Sequence, residues 1–98
     1  MKKLAPIHPG EILLEEFLLP MEISQSKIAE DTGISSAEVE KIIEGNAPVT
    51  PNAALRLSLY FGLSERFWLN LQLRYDLETE KDKVADKLRN EVRILQTV

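Results

Sequence analysis

The chain has 98 residues, of which 44% are hydrophobic, and it carries a formal net charge of −4 without any cysteine. That length fits one compact core and excludes two, and the missing thiols exclude disulfides and cysteine-ligated metals. Its apolar runs are far too short to cross a bilayer, and polar residues interrupt the stretch where a signal peptide needs an apolar core, so we expect a cytoplasmic protein.

The first predicted helix covers about residues 9–18. Pro9 suits a first helical position because the N–H that it lacks would have no partner there, and Pro20 stops the helix. His8 directly precedes this helix. A single histidine in a chain without cysteine makes neither a metal site nor a nucleophilic triad, so we expect His8 to cap the helix.

The second and third predicted helices are separated by a tight turn. A helix over about residues 24–32 has a serine at its capping position and ends at Gly33, which permits a reversal of the chain. Either Ser35 or Ser36 caps the next helix, which ends near Gly45.

Two further helices complete the predicted core. The fourth begins at Thr50 and Pro51, a cap followed by a proline, and ends at Gly62; the fifth begins at Ser64. The aromatic residues in these helices have helical spacing among leucines, which favours core packing over a stacking platform for single-stranded nucleic acid. We therefore expect Trp68 in the core.

A separate and more exposed sixth helix is predicted in the charged segment that follows residue 78. Apolar residues recur there at helical intervals: Val84, Leu88, Val92 and Leu95. The chain's own domain, a second subunit or a bound protein can cover this stripe, and we favour a second subunit. The predicted domains are thus residues 1–78 and a helical extension at 79–98.

Residues 24–45 have the pattern of a helix-turn-helix. Ala29 is small where the two helices must cross closely, Gly33 permits the turn, and apolar side chains fill the wedge between the helices. The agreement of these three features favours this motif over an ordinary helical hairpin.

In a helix-turn-helix, the N-terminal part of the second helix enters the major groove of DNA. Outward side chains there meet base edges, while the start of the preceding helix lies near phosphates. The predicted DNA-binding residues are Gln25, Lys27, Ser35, Ser36, Ala37, Glu40, Lys41 and Asn46.

The charge of this region opposes DNA binding. Residues 24–50 sum to −3, with five acidic residues against two lysines. DNA-binding proteins are usually basic, because neutralising phosphates releases counterions. The alternative is a solvated acidic face that reads no DNA.

Several short motifs occur within and on both sides of the helix-turn-helix. They are His8-Pro9-Gly10-Glu11-Ile12-Leu13, Ser24-Gln25, Ala54-Leu55-Arg56-Leu57, Trp68-Leu69-Asn70-Leu71-Gln72 and Tyr75-Asp76-Leu77. Together they resemble the HigA antitoxins, also called virulence-associated protein I. The resemblance covers residues 7–78, and its first and fourth motifs are more specific than the helix-turn-helix itself.

This resemblance implies an all-α, five-helix, lambda-repressor-like helix-turn-helix domain, to which the sixth helix is added. It also implies a homodimer that binds operator DNA to repress its own operon and neutralises a HigB-like toxin, an mRNA-cleaving ribonuclease of the RelE type. After the third helix the family typically has asparagine, glycine, lysine and arginine. This chain has Glu44-Gly45-Asn46-Ala47 instead and so lacks two phosphate-binding cations.

Two other functions stay open: a stand-alone transcriptional repressor without a toxin partner, and a protein-binding module that has lost DNA binding. An enzyme is not expected, because the sequence shows no acid–base pair, metal cluster or phosphate-binding loop. We expect no cofactor and no metal.

Overall fold

The computed structural model describes residues 5–96, and the regular structure in this range is entirely helical. In chain order the helices are α1 at Pro9–Ile12 with a π-helical continuation at Leu13–Leu18, α2 at Gln25–Thr32, α3 at Ser36–Ile43, α4 at Pro51–Phe61 and α5 at Glu65–Glu91. The predicted all-α class is confirmed.

Local sequence signals set most of the helix ends. Hydroxyl side chains accept a hydrogen bond from a backbone N–H in the first turn of α2, α3, α4 and α5: they are Ser24, Ser35, Thr50 and Ser64. Gly33 and Gly62 end α2 and α4 with φ of 78° and 74°, a conformation that a Cβ atom disfavours. These ends agree with the predictions, and Ser35 rather than Ser36 is the cap of α3.

The π-helical continuation of α1 was not predicted. Leu13 and Leu18 are five residues apart, and each is only 2% exposed. Five residues make about 1.4 turns of an α-helix, which would carry the second leucine away from the core, whereas hydrogen bonds between residues five apart in a π-helix bring both onto one face. The burial of both leucines therefore explains the wider turn.

The core lies where the first four helices meet the first turns of α5. Trp68 is completely buried there, as predicted, and its ring centroid lies 5.2 Å from that of Phe17 and 5.0 Å from that of Phe67. Phe61 contacts Phe17 with a centroid distance of 4.7 Å. Aromatic pairs at such distances add to the free energy of burying the rings. This cluster joins α1, α4 and α5.

The predicted sixth helix is the distal part of α5, which runs without a break from Glu65 to Glu91. This segment contains no glycine or proline, and ion pairs one turn apart, such as Arg74 with Glu78 and Lys87 with Glu91, support its charged part. Val92 is extended, so the last residues of the apolar stripe leave the helix. The division at residues 78 and 79 stays a prediction; positions 1–4 and 97–98 lie outside the described residues.

Candidate DNA-binding surface

The helix-turn-helix frame has the predicted packing. Ile28 is fully buried and Ala29 is 7% exposed on α2, while Val39 and Ile42 of α3 are 2% and 1% exposed. These side chains and Ile34 of the turn fill the wedge between α2 and α3. The small side chain of Ala29 is thus buried at the contact, as the sequence indicated.

The outer face of α3 presents the residues expected to meet DNA. Ser36, Ala37, Glu40 and Lys41 are all exposed, whereas Val39 and Ile42 of the same helix are buried. They carry a hydroxyl, a methyl, a carboxylate and an ammonium group. The structure thus leaves the predicted reading residues accessible together on one helix.

The two residues predicted to contact phosphate at the start of α2 differ in whether the side chain is already paired within the protein. Gln25 is the first residue of α2 and is exposed. Lys27 Nζ lies 2.9 Å from Asp31 Oδ2, which also accepts a 2.8 Å hydrogen bond from the Tyr60 hydroxyl. The hydrogen bond from Lys27 holds the pKa of Asp31 below its ordinary value, and the same bond raises the pKa of Lys27. The spacing of four residues between Lys27 and Asp31 was the sequence signal for this pair.

The loop after α3 folds back on the end of that helix. The backbone N–H groups of Asn46 and Ala47 both donate to the carbonyl oxygen of Lys41, at 2.8 and 3.2 Å, and Gly45 turns the chain with φ of 79°. Asn46 is exposed, and its Nδ2 donates to Glu44 Oε2 at 3.3 Å. The remaining Ser35 is occupied as the cap of α3, where its Oγ accepts from the backbone of Glu38 at 3.1 Å.

His8 caps α1, as predicted. Its Nδ1 accepts a 2.9 Å hydrogen bond from the Gly10 backbone, and its ring packs edge-on against Tyr75 of α5 with a centroid distance of 4.8 Å. Burial lowers the pKa of His8, although a hydrogen bond to the Ala47 backbone and the nearby Asp76 carboxylate oppose that shift. His8 thus joins α1, the loop after α3, and α5.

Gln72 is a supporting residue that sequence reasoning missed. Its side chain is 8% exposed; Oε1 accepts a 2.7 Å bond from the Val49 backbone and Nε2 donates to Asp76 Oδ1 at 2.9 Å. It therefore ties the loop between α3 and α4 to α5. Its position one turn after the buried Trp68 was the available sequence signal.

Within residues 5–96, no group of three or more histidine, aspartate or glutamate side chains is arranged to hold a metal ion. No helix in this range combines the length and apolar character that crossing a membrane requires.

No protein-family model matches the chain. The chain is 44% identical over 78 residues to virulence-associated protein I of Dichelobacter nodosus, which covers 79% of this chain and 72% of that protein. It is 32% identical over 87 residues to antitoxin HigA-1 of Vibrio cholerae, covering 89% of this chain and 82% of that protein.

Among solved structures, the Pseudomonas aeruginosa antitoxin HigA with the higBA promoter matches with a TM-score of 0.90 and 36% identity, over 93% of this chain and 99% of that chain. Those names describe antitoxins and virulence-associated proteins rather than enzymes. Since this similarity covers more than two thirds of each protein at 30% identity or more, the chain belongs to the HigA antitoxin family.

Proposed function

We propose that this chain is a cytoplasmic antitoxin that binds operator DNA through α2 and α3 and neutralises a HigB-like toxin. One observation carries the DNA-binding part: the TM-score of 0.90, over 93% of the chain, to an antitoxin solved with its promoter. A backbone match of that extent includes the α2–α3 frame and supports the same use of it.

In this proposal the N-terminal half of α3 enters the major groove. Ser36 hydrogen-bonds a base edge, Ala37 contacts a thymine methyl group, Glu40 accepts from a cytosine amino group, and Lys41 donates to a guanine or a phosphate. Gln25 and the backbone N–H groups at the start of α2 meet a phosphate on the edge of the groove. Their common exposure supports this arrangement.

Lys27, Ser35 and Asn46 are proposed for contacts at the margin of that surface. Each already makes a hydrogen bond or ion pair within the protein. A phosphate oxygen must therefore replace or share that partner, and we expect these residues to contribute less affinity than Lys41.

A homodimer compensates for the acidic charge of the motif. Two weak half-site contacts act together when they are joined, because the second binds at a high effective concentration. Exposed leucines on α5 support self-association: Leu73, Leu77 and Leu88 are 64%, 51% and 46% exposed. Repression of the chain's own operon follows if the dimer occupies its promoter.

The toxin part of the proposal is supported by the acidic charge of the segment that contains the first helix. A ribonuclease of the RelE type must attract RNA phosphates and therefore presents cationic surface. Between residues 5 and 26 the chain has no lysine or arginine and four exposed acidic residues: Glu11, Glu15, Glu16 and Glu22. Complementary charge of this kind speeds association with a basic partner.

Co-expression with the neighbouring small gene and binding to the promoter of its own gene test both parts. We expect the antitoxin to restore growth, to co-purify with the toxin, and to bind the promoter with an affinity that falls steeply with salt. Promoter binding without rescue or co-purification would instead identify a stand-alone repressor. Rescue without promoter binding would identify a protein-binding module that no longer reads DNA.

A further inference from the structure

Three polar side chains lie one helical turn apart on α4, and two of them bond the C-terminal end of α2. Arg56 Nη1 donates a 2.9 Å hydrogen bond to the carbonyl oxygen of Thr32, and Arg56 Nε donates a 2.8 Å bond to Asn52 Oδ1. The hydroxyl of Tyr60 donates to Asp31 Oδ2 at 2.8 Å. The bonds from Arg56 and Tyr60 connect α4 to Thr32 and Asp31, the last two residues of α2.

The guanidinium of Arg56 lies at the turn between α2 and α3. Thr32 has one of the carbonyl groups at the end of α2 that lack a partner within the helix, so a cation there satisfies both the hydrogen bond and the helix dipole. A Cβ atom on Gly33 would lie 2.7 Å from Arg56 Nη1. The guanidinium therefore lies directly against the residue at which the chain turns from α2 towards α3.

These contacts do more for geometry than for stability. Arg56 and Asn52 are exposed, and exposed polar pairs contribute little to the free energy of folding. The turn, however, leads within three residues to Ser36, where α3 begins. Since α3 is about 12 Å long, a tilt of about 10° moves one end by about 2 Å, enough to break a hydrogen bond to a base edge.

We infer that Arg56 is a positioning residue for operator recognition: it fixes the angle between α2 and α3 through the Thr32 carbonyl and the backbone at Gly33. Asn52 orients its guanidinium, and Tyr60 holds the adjacent Asp31. This inference rests on the proposed operator binding, and it assigns Arg56 no contact with DNA.

The test compares Arg56→Ala with the wild type on two duplexes: the promoter fragment of the chain's own gene and a scrambled duplex of equal length. Loss of a charge-assisted hydrogen bond should weaken promoter binding about tenfold at a temperature where both proteins are folded. Affinity for the scrambled duplex and the salt dependence of promoter binding should not change, because no phosphate contact is lost. Arg74→Ala is the matched control, since Arg74 is also an exposed arginine paired one turn along its helix.

Arg56→Lys should recover part of the affinity, because a lysine can donate to Thr32 but cannot bond Asn52 in the same planar geometry. Asn52→Ala, a milder change, replaces Arg56→Ala if the latter fails to fold, and it should shift promoter affinity in the same direction. Unchanged promoter affinity would overturn the inference. So would an equal loss on both duplexes with a smaller salt dependence, which indicates a direct phosphate contact. If the wild type does not bind the promoter, the proposed function itself fails.

Discussion

The Cα atom of Gly10 lies against the carbonyl group of Ile42, so that a side chain at position 10 would overlap the α3 backbone. Gly10 is buried in the first turn of α1, and Ile42 lies near the end of α3. This contact seats the helix that is proposed to read DNA on the N-terminal motif of the chain.

Gly10→Ala should therefore destabilise the protein, although alanine is the better helix former. The overlap involves backbone atoms that cannot rotate away, so we expect a loss of about 3 kcal/mol or more in the free energy of unfolding, measured with urea. Gly62→Ala is the control: it has positive φ but open space, and should cost about 1–2 kcal/mol. A Gly10→Ala protein as stable as Gly62→Ala would contradict this contact.

Lys41→Glu should abolish promoter binding and leave toxin neutralisation intact. Lys41 is exposed on the outer face of α3, and reversal removes a cation and adds a repulsive charge at the DNA surface. A loss of at least about tenfold is expected in an electrophoretic shift at low salt. Lys87→Glu makes the same charge change in the distal part of α5 and should have little effect. Equal binding by Lys41→Glu and the wild type would refute docking by α3.

Stability should fall in mild acid because of His8. Its pKa in the folded state is lowered from 6.5, so the unfolded chain binds the proton more readily. The contribution of His8 is fully present above pH 6.5 and is lost as the pH falls from there through the lowered pKa. Protonation of Nδ1 also removes the acceptor for the Gly10 N–H.

His8→Asn is the informative variant here, because asparagine supplies a capping oxygen but does not titrate. The free energy of unfolding should decrease less between about pH 7.5 and about pH 5.5 in this variant than in the wild type. An identical pH dependence in both proteins would show that His8 titrates alike in the folded and unfolded states.

Gln72→Met should destabilise the protein because it removes the acceptor of the Val49 backbone N–H. Methionine fits a similar volume but leaves the buried Val49 N–H without its 2.7 Å acceptor, which costs about 1–3 kcal/mol. Asn70→Met on the exposed side of α5 should change the free energy of unfolding by less than about 0.5 kcal/mol. Similar thermal unfolding of the two variants would mean that Val49 finds another acceptor.

The features that the sequence predicted well are those decided within a few residues. Ser24 and Ser35 each cap the helix that follows them, and Gly33 adopts the left-handed conformation that ends α2. The helix-turn-helix followed from such local signals together with the burial of Ala29 and Val39. The flanking motifs then identified the family more specifically than the motif itself.

The features that were missed depend on the packing of the folded chain rather than on local sequence signals. The π-helical turn follows from the joint burial of Leu13 and Leu18, and the bond between Gln72 and Val49 spans 23 residues. The sixth helix was predicted from a change in composition, which does not interrupt a helix unless glycine or proline accompanies it, and α5 runs on through this segment. The DNA-contacting residues stay predictions, because exposure alone does not establish what touches them.

The continuity of α5 also joins its exposed distal part to the core of the domain. Its 27 residues extend about 40 Å, and the distal part projects beyond the packed domain. Gln72 of the same helix bonds the backbone of Val49, in the loop between α3 and α4. A protein that binds the distal part of α5 therefore also sets the orientation of the domain that carries α3.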